Sequence, residues 1–170
     1  ISIPLRPSPR HLLEGMLRPG WSLRLLRGIG QRPLAGLLTA APYYSRPSQR
    51  GIEAHFRAIA AATALPLVLY NIPYRTGVNI ELATIQSLAD VPNIVAIKES
   101  SEDPRRITHI RNHVGDRFTL FCGVDDLVME SFILGAEGWI SGLVNAFPAE
   151  NRLLWDLLTA GKFDEARRVY

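Results

Sequence analysis

From Leu34 onward, short apolar runs of strand length alternate with stretches whose apolar residues recur every three or four positions, and turn residues separate the two. Leu34-Ala35-Gly36-Leu37-Leu38-Thr39-Ala40 is the first run. The turn-rich Pro42-Tyr43-Tyr44-Ser45-Arg46-Pro47 follows, and Ser48 is placed to cap a helix that carries Ile52, Phe56 and Ile59 on one face. Pro66 introduces the strand Leu67-Val68-Leu69-Tyr70. A loop from Asn71 to Gly77 leads to a helix with Leu82, Ile85 and Leu88 inward, ending near Ala89. Pro92-Asn93 precedes Ile94-Val95-Ala96-Ile97-Lys98-Glu99, a buried strand that ends in an amine. The unit then recurs. Asp103 caps a helix with Pro104 at its first position, Ile107, Ile110 and Val114 form its buried stripe, and Gly115 is placed to end it in the left-handed conformation. Phe118 to Cys122 is the next strand, Gly123 opens a turn, and a helix runs from about Asp125 to Leu134, closed by Gly135. Trp139-Ile140-Ser141 is a last short strand before helices at 148–159 and 163–170.

Five strands, each followed by a helix, predict an α/β fold with a parallel sheet, because parallel neighbours need a crossover of about this length. Two architectures fit the pattern, an open doubly wound sheet and part of a (β/α)8 barrel, since a whole barrel takes eight such units and typically about 250 residues. Both place chemistry at the C-terminal ends of the strands. Here those ends present Tyr43 and Tyr44, Tyr70, Lys98, Gly123 and Ser141.

Residues 1–33 break the pattern. Five prolines interrupt them, their leucines and arginines keep no sustained period, and the segment reads as a weakly structured lead-in to a domain at 34–170. They hold six arginines against one acid, whereas the remaining residues hold 13 basic and 15 acidic side chains, so the net charge of +3 originates in this segment. A basic arm can meet nucleic acid or an acidic surface, yet it lacks the aromatic interleaving and fold signature of a nucleic-acid binder, and none is expected as a partner. With 47% hydrophobic and 21% charged residues there is ample material for a core. The single cysteine, Cys122, excludes an internal disulfide framework and a Cys-rich zinc site. No apolar run is long enough to span a bilayer, and no secretory leader pattern opens the chain, so a cytoplasmic protein without membrane contact is expected.

Lys98 is one of only two lysines, and the other, Lys162, lies between two helices. Burial at a strand end disfavours the ammonium form and leaves the amine free to condense with a carbonyl. The alternative is an ordinary lysine pointing to water. Carbinolamine and enamine steps need proton shuttles, and phenols beside the amine can supply them. Tyr70 ends the preceding strand. Its alternative reading is a strand-end aromatic that packs on the rim.

These motifs resemble one family, the dihydrodipicolinate synthase and N-acetylneuraminate lyase family of pyruvate-type class I aldolases. The matching stretches are Ala41-Pro42-Tyr43-Tyr44-Ser45-Arg46-Pro47-Ser48-Gln49, Leu69-Tyr70-Asn71-Ile72-Pro73-Tyr74-Arg75-Thr76-Gly77 and Ile97-Lys98-Glu99-Ser100, with Cys122-Gly123-Val124-Asp125-Asp126 and Gly138-Trp139-Ile140-Ser141-Gly142 further on. The resemblance covers residues 34–170 and implies an incomplete TIM barrel of about five β/α units. It implies that Lys98 is the Schiff-base lysine for pyruvate or a related 2-oxo acid, Tyr70 the phenol that moves protons, and Tyr44 a relay tyrosine borrowed across a subunit interface. Arg75 resembles the arginine at the cleft mouth, suited to clamp a carboxylate. Ile140 matches the residue whose carbonyl faces the substrate, and Gly123 leaves room beside it. The family needs no cofactor and no metal, takes a small aldehyde-type second substrate, and assembles as a homo-oligomer, a dimer or tetramer.

The family's Gly-Thr-Thr-Gly-Glu-like loop, which holds the 2-oxo acid's carboxylate, is absent from residues 1–33, so that segment is expected to be unrelated sequence joined to a barrel fragment. The resemblance points first to a synthase-like lyase of the lysine and diaminopimelate pathway. Sugar-acid aldolases or dehydratases and pyrroline-carboxylate deaminases share the lysine and tyrosine, and a non-catalytic remnant is the reading from another class. His109 and His113 lack a third ligand and read as exposed helix positions. Asp125 and Asp126 read as carboxylates capping the helix that follows them.

Overall fold

The computed structural model describes residues 34–170, and the expectations for residues 1–33 lie outside them. Five parallel strands form one sheet in the order β1 to β5: Leu37–Ala40, Leu67–Asn71, Ile94–Glu99, Thr119–Cys122 and Gly138–Trp139. A doubly wound sheet reverses its strand order at a switch point, and this one never does. Strictly sequential parallel strands are the order of a barrel wall, so the partial-barrel expectation holds and the open doubly wound alternative falls.

The connections are α1 (Gln49–Ala61), a single turn α2 (Pro73–Thr76), α3 (Leu82–Ser87) with a 3-10 extension at Leu88–Asp90, α4 (Arg105–Val114), and α5 (Val128–Ile133). Helices α6 (Pro148–Thr159) and α7 (Phe163–Val169) follow the last strand. Alternation along β2 shows why helices line one side of the sheet. Leu67, Leu69 and Asn71 are buried, while Val68 and Tyr70 on the opposite face are half-buried. Ile52 and Phe56 from α1, Ile85 from α3, and Ile107 and Ile110 from α4 are almost wholly buried and belong to one core with Leu67, Leu69, Ile97 and Leu120. Each such side chain contributes about 1.5–3 kcal/mol by leaving water. That apolar layer lies between sheet and helices. The other face is the one a closed barrel would turn inward.

One irregularity sets the orientation of β3. Leu67 pairs with Ile94 but Val68 pairs with Ala96, so Val95 is an extra residue, 36% exposed. The bulge resets the alternation, after which Tyr70 stands beside Lys98 and Asn71 beside Glu99.

Local differences from the expected elements have physical causes. The first ladder starts at Leu37, whose N–H donates to the Pro66 carbonyl at 2.8 Å, because Gly36 passes so near that a Cβ would meet the Pro66 oxygen at 2.9 Å. The stretch expected as a loop after Asn71 contains α2, started by Pro73 and closed by Gly77 at φ 72°. Gly115 does end α4 at positive φ (57°), but ψ is −137°, outside the left-handed helical region. The helix expected from Asp125 to Leu134 is split into a 3-10 turn at Asp125–Leu127 and α5, with Leu127 at φ −132° and ψ 16° where the two meet. Ser48 caps α1 as expected, its hydroxyl accepting from Gly51 N–H at 3.4 Å. His109 and His113 are exposed on α4.

Candidate active site

At the C-terminal edge of the sheet, strand register does most of the positioning. Lys98 is flanked in register by Tyr70 of β2 and Phe121 of β4, all on the uncovered face. The residue is 8% exposed, and its Nζ lies 4.3 Å from the centroid of the Tyr70 ring. Among the described residues its amine has no acidic partner, whereas Lys162 pairs with Glu165. A primary amine, little hydrated, unpaired and set over a phenol, is the arrangement in which it can attack a carbonyl.

Gly123 makes that arrangement fit. A Cβ on it would overlap the Ser100 hydroxyl and stand 2.6 Å from Lys98 Cε and 2.9 Å from Lys98 Cγ. Any larger residue there would displace the lysine. Gly123 N–H donates to the Glu99 carbonyl at 2.9 Å, and Ile140 N–H to the Cys122 carbonyl at 2.9 Å, so the ladder carries both residues to the same edge.

The remaining expected site residues are not gathered around the amine. Tyr44 is 95% exposed in the turn after β1. Arg75 is exposed on α2, its guanidinium 5.2 Å from the centroid of the Tyr74 ring. The chain thus brings together Lys98, Tyr70 and Gly123, sets Ile140 at the edge two strands from Lys98, and leaves Tyr44 and Arg75 facing solvent.

Behind Lys98, on the helix side, lies a buried polar network that sequence reasoning missed. The Glu99 carboxylate accepts from Asn71 Nδ2 (2.9 and 3.0 Å), from Ser101 N–H (2.9 Å) and from Arg106 Nε (3.0 Å). Arg106 also donates to the Ile80 carbonyl at 2.7 Å, while Ile80 N–H donates to Asn71 Oδ1 at 3.0 Å. The ends of β2 and β3, the segment before α3, and α4 are thereby tied behind the lysine. A charge at the end of a buried strand, with an arginine at an inward helix position seven residues later, was the available signal. It suggested no role because nothing local pairs the two.

Asp125 is also corrected. Its carboxylate does not cap the helix after it; it accepts from Trp139 Nε1 (3.1 Å), Gly142 N–H (3.2 Å) and Leu143 N–H (3.0 Å), fixing the turn that follows β5 and Ile140. Burial pushes the Cys122 thiol up, and it donates to the Val124 carbonyl at 3.1 Å, which disqualifies it as the nucleophile. Among the described residues no group of three His, Cys, Asp or Glu side chains is placed to hold a metal ion, and no helix is long and apolar enough to cross a membrane.

Both the sequence and the fold have relatives among known proteins. Residues 29–170 match the family described as the dihydrodipicolinate synthetase family. The chain is 43% identical over 132 residues to the 4-hydroxy-tetrahydrodipicolinate synthase of Exiguobacterium sibiricum, covering 78% of this chain and 45% of that protein. It is 40% identical over 149 residues to the synthase of Syntrophobacter fumaroxidans, covering 88% of this chain and 51% of that one. The solved 4-hydroxy-tetrahydrodipicolinate synthase of Methylacidiphilum fumariolicum superposes with a TM-score of 0.78 at 38% identity, over 86% of this chain and 48% of that one. The dihydrodipicolinate synthase of Aquifex aeolicus gives 0.77 at 38%, over 84% and 48%. The chain spans about half the length of the relatives it matches. The parallel wall in sequential order is the part of the fold that superposes on these solved relatives, and with residues 29–170 matched the chain belongs to the dihydrodipicolinate synthetase family.

Proposed function

We propose that this chain carries the Schiff-base centre of a lyase that joins pyruvate, or a related 2-oxo acid, to a small aldehyde-type substrate, in the manner of 4-hydroxy-tetrahydrodipicolinate synthase. The observation that carries the reading is the Lys98 amine, buried, without an acidic partner among the described residues, and 4.3 Å from the Tyr70 ring centroid. The amine adds to the keto carbon, water leaves, and the resulting iminium draws electrons from C3, so that loss of a C3 proton gives an enamine nucleophile. Tyr70 is the acid and base for these transfers. Enamine attack on the aldehyde forms the new carbon–carbon bond, and hydrolysis returns the lysine.

In this reading Gly123 keeps the space beside the amine open and the Ile140 carbonyl faces the bound acid. Arg75 serves as a carboxylate clamp at the mouth, and Tyr44 completes a proton relay in a neighbouring subunit. Exposure of Tyr44 and Arg75 suits a site finished by a second copy of the chain, so the working form is a homo-oligomer, located in the cytoplasm with its soluble substrates. No cofactor and no nucleic acid takes part.

Reductive trapping tests the reading. Pyruvate with cyanoborohydride is expected to add the mass of the reduced pyruvyl group to the peptide holding Lys98, and Lys98→Met to lose the adduct completely. No adduct on the unaltered chain would reject catalytic competence here while leaving family membership intact.

A further inference from the structure

The ladder between β2 and β3 continues one residue beyond Glu99. Ser100 N–H donates to the Asn71 carbonyl at 2.8 Å, and in the next register position Gly123 N–H donates to the Glu99 carbonyl at 2.9 Å. Ser100 therefore keeps the strand alternation and faces the same side as Lys98, two residues before it. The residue is 1% exposed, and its hydroxyl finds no hydrogen-bond partner among the described residues. A buried hydroxyl left unpaired in a native fold is unfavourable and calls for a reason. The place it occupies supplies one. A Cβ on Gly123 would overlap Ser100 Oγ and stand 2.6 Å from Lys98 Cε, so hydroxyl and lysine share the space over one glycine.

The neighbouring Ser101 hydroxyl is also unpaired, but Ser101 follows the opposite alternation and borders a small cavity with Glu99 and Cys122 on the helix side. Only Ser100 stands with the amine. A serine hydroxyl is a neutral donor that rotates freely to an oxygen placed before it and stays protonated at neutral pH. What Lys98 brings to that spot is a carbonyl oxygen.

Given Lys98 as the Schiff-base amine, we propose that Ser100 is a further catalytic residue, its Oγ–H donating a hydrogen bond to the C2 oxygen of the 2-oxo acid during iminium formation. As the amine attacks, the C–N bond forms, the carbonyl π pair moves onto that oxygen, and a proton passes from nitrogen to oxygen to give the carbinolamine. The C–O bond then breaks. The nitrogen lone pair becomes the C=N bond, and the departing hydroxide takes a proton from the Tyr70 phenol and leaves as water. Ser100 loses no proton in either step. It steadies the oxygen while charge builds there.

The test is the rate of reductive trapping of pyruvate on the full chain at saturating cyanoborohydride, followed by intact mass, together with thermal unfolding. Ser100→Ala is expected to slow trapping about tenfold at saturating pyruvate, the size of one neutral hydrogen bond. Its thermal midpoint should stay level or rise, since an unpaired buried hydroxyl has been removed. Ser100→Thr, which retains the hydroxyl, should recover at least half of the lost rate. Trapping by Ser100→Ala at the unaltered rate would overturn the assignment with Lys98 untouched, as would a slower rate accompanied by a lower midpoint and no recovery in Ser100→Thr. Absence of any adduct on the unaltered chain would remove the Lys98 reading itself, and this one with it.

Discussion

The two edges of the sheet treat their polar groups in opposite ways. At the N-terminal edge, the Arg117 guanidinium donates to the carbonyls of Ala89 (2.7 Å), Val91 (2.7 Å) and Ile94 (3.0 Å) and lies over the Phe118 ring. Asn93 Nδ2 likewise donates to the carbonyls of Ala60 (3.0 Å) and Thr63 (2.9 Å). Helix ends and strand starts are locked there by these bonds to backbone carbonyls. At the C-terminal edge, Glu99, Arg106 and Asn71 satisfy one another on the helix side, where the Ser101 hydroxyl alone is left unpaired among the described residues. The uncovered side of that edge differs, with an amine that has no acidic partner and a hydroxyl that has no hydrogen-bond partner among the described residues, beside a glycine where any side chain would collide. Polar groups that satisfy one another contribute to folding. Those left unsatisfied at a strand's C-terminal end are free for substrate.

Substitutions can break this contrast, and the largest effect on stability is expected at the buried ion pair. Arg106→Ala leaves the Glu99 carboxylate buried without its cation and should cost about 3–5 kcal/mol in urea unfolding, with trapping lost through displacement of β3. Arg117→Ala should cost roughly 2–3 kcal/mol by freeing three carbonyls, yet leave the rate of pyruvate trapping unchanged at a temperature where the variant is folded. A slower rate in that variant would mean that the two edges are not independent. Gly123→Ala inverts the pattern, with a destabilisation of about 1–2 kcal/mol from overpacking and a loss of trapping of roughly 100-fold as the amine is pushed aside.

The smallest expected effect is a pH dependence at His55. Burial lowers its pKa, and a hydrogen bond with the Ala40 backbone offsets this only in part, so the fold favours the neutral ring. The unfolded chain takes up the proton near pH ~6.5, and stability present above that pH should decline as pH falls below it, levelling off once the folded ring also protonates. Thermal midpoints between pH 5 and 8 should show the decline. In His55→Gln this component should be absent, and an identical profile in that variant would assign the dependence elsewhere.

Much of the fold was legible because its signals are local. Ile52 and Phe56 recur at helical spacing after a serine cap, Leu67 and Leu69 alternate along a strand, and Pro66 and Pro92 punctuate the starts of units; each is a property of a few consecutive residues. Lys98 and Tyr70 were legible for the same reason, as polar residues at the ends of apolar runs. Glu99 was not, because its partners come from Asn71 and Arg106 on other elements. Asp125 was misread because it precedes a helix in sequence, while the N–H groups it meets belong to the turn after β5.

By itself, then, the sequence determined the parallel β/α alternation, the edge at which chemistry would sit, and the lysine with a phenol in the preceding unit. These follow from period and order, which short-range sterics and burial impose on the chain directly. Only the tertiary structure decided between an open sheet and a barrel wall. It likewise decided that a bulge at Val95 would turn Lys98 toward Tyr70, and that the Ser100 hydroxyl would remain unpaired beside the amine. Register and hydrogen-bond satisfaction depend on which distant residues arrive opposite each other, and no local pattern in the chain encodes that.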